Sequence, residues 1–244
     1  MTSPAYTGER APLPESVDRP QSGRVLVIVP HSDDDVIGCG GTVCLHVEQG
    51  DPVRIVVVFD GEAGDPDRHH DPEDLKRVRQ AEARAGGAHL GVEDYEFWGF
   101  SEGHEPGPGE LVAAARRVSA AVDEVRPDIV YAPWIGEHHV DHHVVARAVR
   151  MGLALAGFGG AAWGFEVWTP LVAELIVDVT PVYEKKVAAL KEHRSQLAYT
   201  DHVHKALGMN AQRSLYLSKD ALYGEAFAPL GPPSDAEREL LRDA

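Results

Sequence analysis

Val25-Leu26-Val27-Ile28-Val29-Pro30-His31-Ser32-Asp33-Asp34-Asp35 is the stretch that decides the fold. A short aliphatic run with no polar alternation, rich in β-branched residues, reads as a strand buried on both faces. It stops at Pro30 and delivers a histidine and three acids into one tight loop. Like charges crowded together repel, and a bound cation is the natural remedy. A second cluster, Glu137-His138-His139-Val140-Asp141-His142-His143, follows another strand-like run at 128–132. Two ligand-rich segments, each at the carboxyl end of a predicted strand, point to one metal site built from both.

Outward from these segments, apolar runs alternate with amphipathic ones, the signature of an α/β fold. The spacing predicts strands over 24–30, 53–59, 95–98, 128–132, 165–168 and 174–179. Helices are predicted over 36–49, closed by Gly50; from Asp71-Pro72, with Asp as cap, to about Gly86; over 111–125; from a capping Asp141; and over 181–197. The expected architecture is a Rossmann-like three-layer sandwich with a mostly parallel sheet and a C-terminal cap region. Residues 1–22, with four prolines and no apolar centre, read as a flexible tail, 23–200 as the core and 201–244 as a cap belonging to the same domain. In parallel sheets, ligands sit at the carboxyl ends of strands where strand order reverses. The strands at 24–30 and 128–132 are expected to flank that point.

The chain has 244 residues, 43% of them hydrophobic, with a net charge of −16. Nucleic acid and anionic membrane surfaces require basic patches, so the charge argues against both as partners. No apolar stretch approaches the roughly 20 residues of a membrane span. Cys39 and Cys44, five residues apart on one predicted helix, point to different sides and read as two buried thiols. That fits a reducing, cytoplasmic setting.

Imidazole mixed with carboxylate suits zinc or ferrous iron rather than calcium or magnesium. A catalytic site keeps three protein ligands and one open position. His31, Asp34 and His142 supply three ligands. Asp33 is then left over, placed to act as a general base.

These segments resemble the PIG-L (LmbE-like) family of zinc-dependent N-deacetylases. The family's His-Pro-Asp-Asp-Glu and His-Pro-Asp-His motifs are matched here by His31-Ser32-Asp33-Asp34-Asp35 and His139-Val140-Asp141-His142. Asp60-Gly61-Glu62-Ala63-Gly64, Arg79-Gln80-Ala81-Glu82, the stretch from Lys186 to Gln196 and Tyr223-Gly224-Glu225-Ala226-Phe227 are similar to further family segments, in the same order. The resemblance implies that His31, Asp34 and His142 hold zinc, that Asp33 is the base, that His139 stabilises the oxyanion and that Asp141 orients the catalytic groups. It implies removal of an acetyl group from the nitrogen of an N-acetylglucosamine-like sugar or a natural product containing one. The alternatives are a non-catalytic, metal-binding member of the fold and an amidase acting on a thiol conjugate. Related proteins often assemble, so a homo-oligomer is left open.

Two departures stand out. Ser32 replaces a proline, and Asp35 shortens a glutamate that reaches behind the metal. Glu137 stands where some members carry a tyrosine that assists the oxyanion. It is expected to act on substrate recognition or on the charge of His139, and it favours an amine-bearing substrate. Arg79 and Trp134 complete the expected substrate contacts, Trp134 because it lies between a strand end and the histidine cluster.

Blander readings compete with several of these. Asp33 to Asp35 are also typical helix caps, and Arg79 with Glu82 also reads as a surface i,i+3 pair. Gly38-Cys39-Gly40-Gly41 lacks the spacing of a dinucleotide loop, and close helix–strand packing accounts for it better. Trp98, Trp163 and Trp168 read as core.

Overall fold

The fold is that of a computed structural model, which describes residues 12–242. Its sheet has eight strands: β1 (Glu15–Val17), β2 (Val25–Val29), β3 (Val53–Phe59), β4 (Asp94–Phe100), β5 (Ile129–Pro133), β6 (Ala161–Phe165), β7 (Leu175–Asp178) and β8 (Gly224–Pro229). Their order across the sheet is β1-β7-β8-β6-β5-β2-β3-β4. All neighbours are parallel except β8, which runs antiparallel to both β6 and β7. From β2 the chain builds outward through β3 and β4, then crosses back to place β5 on the other side of β2. That crossing is the switch point expected from the sequence.

Helices cover both faces. On one side lie α1 (Asp34–Gln49), α2 (Pro72–Leu90) and α5 (Tyr183–Glu192); on the other lie α3 (Pro108–Val125) and α4 (Val140–Leu155). Strand β2 shows why an unbroken apolar run was required. Val25, Val27 and Val29 enter one core, Leu26 and Ile28 the other, and all five are fully buried.

Helix α1 is broken at Cys39, whose φ of −142° and ψ of 19° lie outside the helical region. A break frees backbone groups on both sides, and in a buried helix they must find partners. A buried ion pair supplies them. Glu225 on β8 accepts from Gly41 N (2.8 Å) and Thr42 N (2.7 Å). Lys186 on α5 donates to Ile37 O (2.9 Å), Asn210 Oδ1 (2.8 Å) and Glu225 Oε1 (2.7 Å). The glycines around the break do allow close packing, as expected. A Cβ on Gly38 would lie 2.2 Å from the Phe165 ring of β6.

Several expectations are corrected. Residues 15–17 form edge strand β1 beside β7, so that part of the N-terminal segment is no loose tail. Residues 1–11 of that reading lie outside the described residues. The segment after 200 is more than a cap: α7 (His202–Arg213) is followed by β8, which stands inside the sheet. The last helix, α8 (Asp235–Arg242), packs on α3 and α4. The strand expected at 165–168 ends at Phe165. The helical stretch at 181–197 is interrupted at His193, between α5 and α6 (Arg194–Leu197). Helix α2 runs past Gly86 to Leu90, where Gly91 closes it in the left-handed conformation. Cys39 and Cys44 are both buried and unpaired. Among the described residues, no helix is long and apolar enough to cross a membrane.

Candidate metal centre and active-site pocket

His31 leaves the end of β2, Asp34 opens α1, and His142 lies in the first turn of α4, after β5. Strands β2 and β5 are neighbours, so the two clusters converge at the switch point. Asp34 Oδ2 lies 3.2 Å from His31 Nδ1 and 3.3 Å from His142 Nε2. His142 is fully buried, and neither of its ring nitrogens has a hydrogen-bond partner among the described residues. Buried polar atoms without partners are costly, and here they converge with a carboxylate. Burial pushes His142 down to about 4, against the opposing charge of Asp34, so the ring is neutral near pH 7 with a lone pair to give. Burial opposes ionisation of Asp34, but His142 and His31 outweigh it and hold the carboxyl well below the usual carboxylate range. A neutral imidazole, an ionised carboxylate and a second imidazole fit a zinc-type ion.

The second nitrogen of His31 explains two further acids. His31 Nε2 lies 3.2 Å from Asp141 Oδ2 and 3.1 Å from Glu102 Oε2. Burial disfavours a charge on this ring. The carboxylates of Asp141, Asp34 and Glu102 override it and raise its pKa well above the ordinary value. Carboxylates behind a metal-binding imidazole fix its tautomer and orientation. Asp141 was expected to orient the catalytic groups; its carboxylate lies nearer His31 than His139, whose Nδ1 is 3.8 Å from it. His139, not Asp141, occupies the cap position of α4, and its Nδ1 accepts from Asp141 N. Sequence reading missed Glu102, an acid in a loop with no periodicity; its placement just past the end of β4 is the only signal.

Asp33 supplies α1 with its backbone carbonyl, to Val36 N and Ile37 N, but its side chain makes no capping hydrogen bond. The capping reading therefore leaves its carboxylate unexplained. Its Oδ1 accepts from Arg79 Nη2 at 3.3 Å. Arg79, expected at the substrate, is 4% exposed and also donates to Gly61 O. The glycine-rich loop makes room for it: Gly61 has φ +78°, and a Cβ there would lie 2.9 Å from the guanidinium. The surface pairing of Arg79 with Glu82 does not form. Glu82 instead accepts from Ser195 N (2.9 Å) and Oγ (2.6 Å).

Three other assignments change. Glu137 is 4% exposed and absent from the pocket wall. Its carboxylate gathers Val167 N (2.7 Å), Trp168 N (3.2 Å) and Thr169 N (3.3 Å), and Oε2 lies 3.8 Å from His142 Nδ1. It therefore fixes the 167–169 loop and faces His142 from behind the pocket wall. Trp134 is also off the pocket wall. Its indole donates to Thr169 O at 2.8 Å and packs beside Leu171 and Ile176. Trp168, read as core, is 41% exposed on the pocket wall. Asp35 reaches Tyr95, whose hydroxyl donates to it at 2.7 Å, and burial pushes it up to about 7.

The pocket around these groups has a volume of about 310 Å³. Among the described residues its wall carries Asp33, Asp34, Glu102 and Asp141 against the single permanent cation Arg79. A divalent ion would offset two of the three excess negative charges.

Fold and site together define an α/β protein with a candidate His–Asp–His metal site and a further acid, Asp33, beside it at the sheet's switch point. The chain belongs to the PIG-L family: the family described as GlcNAc-PI de-N-acetylase matches residues 26–152. A relative from Kineococcus radiotolerans, 1D-myo-inositol 2-acetamido-2-deoxy-alpha-D-glucopyranoside deacetylase, is 32% identical over 203 residues, covering 70% of this chain and 56% of the relative. The diacetylchitobiose deacetylase of Thermococcus kodakarensis is 27% identical, covering 71% and 70%. The chain spans little more than half the length of the first of these. Among solved structures, the N,N'-diacetylchitobiose deacetylase of Pyrococcus horikoshii superposes with a TM-score of 0.68 at 24% identity, covering 84% and 82%. A 4-carboxy-2-hydroxymuconate hydratase from Pseudomonas putida superposes with 0.73 at 20% identity, covering 90% and 98%. The fold therefore occurs with more than one chemistry, and the site must decide the function.

Proposed function

We propose that this chain is a metal-dependent N-deacetylase that hydrolyses the acetamide of an N-acetyl amino sugar or of a glycoconjugate carrying one. The observation that carries the reading is the convergence of His31, Asp34 and His142 beside an acid, Asp33, whose side chain neither caps α1 nor belongs to the donor set. Family membership supports it, as do relatives named as deacetylases of N-acetylated sugars.

His31, Asp34 and His142 would hold zinc, with ferrous iron the other ion suited to these donors. Such an ion, when bound, polarises the acyl carbonyl and lowers the pKa of water toward about 7. Arg79 occupies Asp33 Oδ1, which leaves Oδ2 to take the proton of the attacking water. The same carboxyl then returns that proton to the leaving nitrogen. His139 accepts the Asp141 N–H at Nδ1, so its proton sits on Nε2. From there it donates to the carbonyl oxygen as negative charge develops. Asp141 and Glu102 keep the ring of His31 in register, and Glu137 places a negative charge behind His142. The two buried thiols fit a cytoplasmic setting.

Two variants test the roles separately. His142→Ala should lose most of its bound metal by elemental analysis, and full retention would remove His142 from the donor set. His139→Ala should keep the metal and lower kcat by about 10²–10³ with a much smaller change in KM, as expected for one oxyanion donor. A change confined to KM would make His139 a substrate-binding group instead. The activity itself is tested by screening N-acetylated sugars for primary-amine release with metal-loaded protein.

A further inference from the structure

Trp168 is a large aromatic ring, 41% exposed, on the wall of a pocket otherwise rich in charged and polar groups. Its loop is fixed from several directions. Glu137 holds the backbone amides of Val167, Trp168 and Thr169. The Trp134 indole holds Thr169 O at 2.8 Å. Just outside, buried Glu166 accepts from Leu171 N (3.0 Å) and from Arg213 Nε (2.8 Å). On the pocket side, the His202 ring lies 5.4 Å from the indole, inclined at 50°. His202 is itself 8% exposed, and its Nδ1 has no hydrogen-bond partner among the described residues. A loose surface loop does not need this much bracing.

We propose that Trp168, braced by Glu137 and His202, is the specificity residue of this pocket. Its indole receives the face of whatever is attached to the N-acyl sugar, such as a second pyranose ring or an aryl aglycone. The inference rests on the N-deacetylase reading and deepens it. At about 310 Å³, the pocket is at the small end of ligand sites, which run from about 300 to 1,000 Å³. A substrate larger than one sugar ring fills more than this volume, and Trp168 offers it an exposed aromatic face on the pocket wall. The flat C–H face of a pyranose, or an aryl ring, covers the indole's electron-rich face and removes apolar surface from water. Tryptophan has few rotors, so presenting it costs little conformational entropy. A methyl aglycone leaves the indole uncovered.

The test compares metal-loaded wild type with Trp168→Ala and Trp168→Tyr on methyl N-acetyl-β-glucosaminide and on N,N'-diacetylchitobiose. The readout is the ratio of kcat/KM for the disaccharide to that for the methyl glycoside. That ratio should fall about 10- to 100-fold in Trp168→Ala, the usual reach of a tryptophan hot spot, through a rise in the KM of the disaccharide. Trp168→Tyr should stay within about threefold of wild type, because it keeps an aromatic face. A ratio unchanged in Trp168→Ala, or one that Trp168→Tyr fails to restore, overturns the assignment. If wild type turns over neither glycoside, the deacetylase reading falls for these substrates. Trp168 is then judged by ligand-observed NMR of the same two glycosides. Stronger saturation of the disaccharide in wild type, lost in Trp168→Ala, upholds the platform; equal saturation overturns it.

Discussion

Asp33→Asn should keep the metal and lose about 10²–10⁴ in kcat, the range that one general acid–base group supplies. The geometry makes the substitution informative. Asparagine matches the size of aspartate, so packing beneath the pocket is preserved. Its amide oxygen can still accept from Arg79, which now contacts Oδ1 at 3.3 Å. What disappears is the carboxylate oxygen that Arg79 does not occupy, and with it the place for the water's proton. The measurement pairs elemental analysis with kcat on one turned-over N-acetyl glycoside. Turnover near wild type would remove Asp33 from the mechanism. Loss of metal would make it a donor.

Lys186→Met should destabilise the protein by about 3–5 kcal/mol, the usual cost of stripping one partner from a buried ion pair. Lys186 and Glu225 are both fully buried. Without the ammonium, Glu225 keeps its two backbone donors but loses its counter-charge, and Ile37 O and Asn210 Oδ1 lose their donor. The break in α1 at Cys39 then stands uncapped on one side, close to Asp33 and Asp34. Metal affinity should therefore fall together with stability. Equilibrium urea unfolding measures the first effect and metal titration the second. Adding Glu225→Gln to Lys186→Met removes the stranded charge, so the double variant should be more stable than Lys186→Met alone. A loss below about 1 kcal/mol in Lys186→Met would show that the pair does not hold the break.

The parts of this molecule that were legible in the sequence are those whose signal is local. Strand β2 is a run of five aliphatic residues, and helix α2 opens with a capping aspartate and a proline and closes at a glycine. The cluster of His31, Asp34 and His142 could be read because both of its segments directly follow strands that lie side by side in the sheet. Strand β8 could not, because Gly-Glu-Ala-Phe-Ala-Pro has neither an apolar run nor clean alternation. Its glutamate is buried only because Lys186, far back in the chain, neutralises it. Strand β1 is three residues long and exists only beside β7. Val167 and Trp168 imitate a strand, yet the amides there are turned to the Glu137 carboxylate and not to a neighbouring strand. The same long-range contact takes Glu137 off the pocket wall, on which Trp168 stands. Side-chain destinations set by partners 30 or more residues away leave no periodic trace.

The most direct test of the central claim is primary-amine release from N,N'-diacetylchitobiose, followed with metal-loaded protein, with the same protein after chelation and after zinc is restored. Release that stops on chelation and returns with zinc, in step with the metal content of the chain, is the predicted result. Release that continues at the same rate in protein shown by elemental analysis to be metal-free would contradict it.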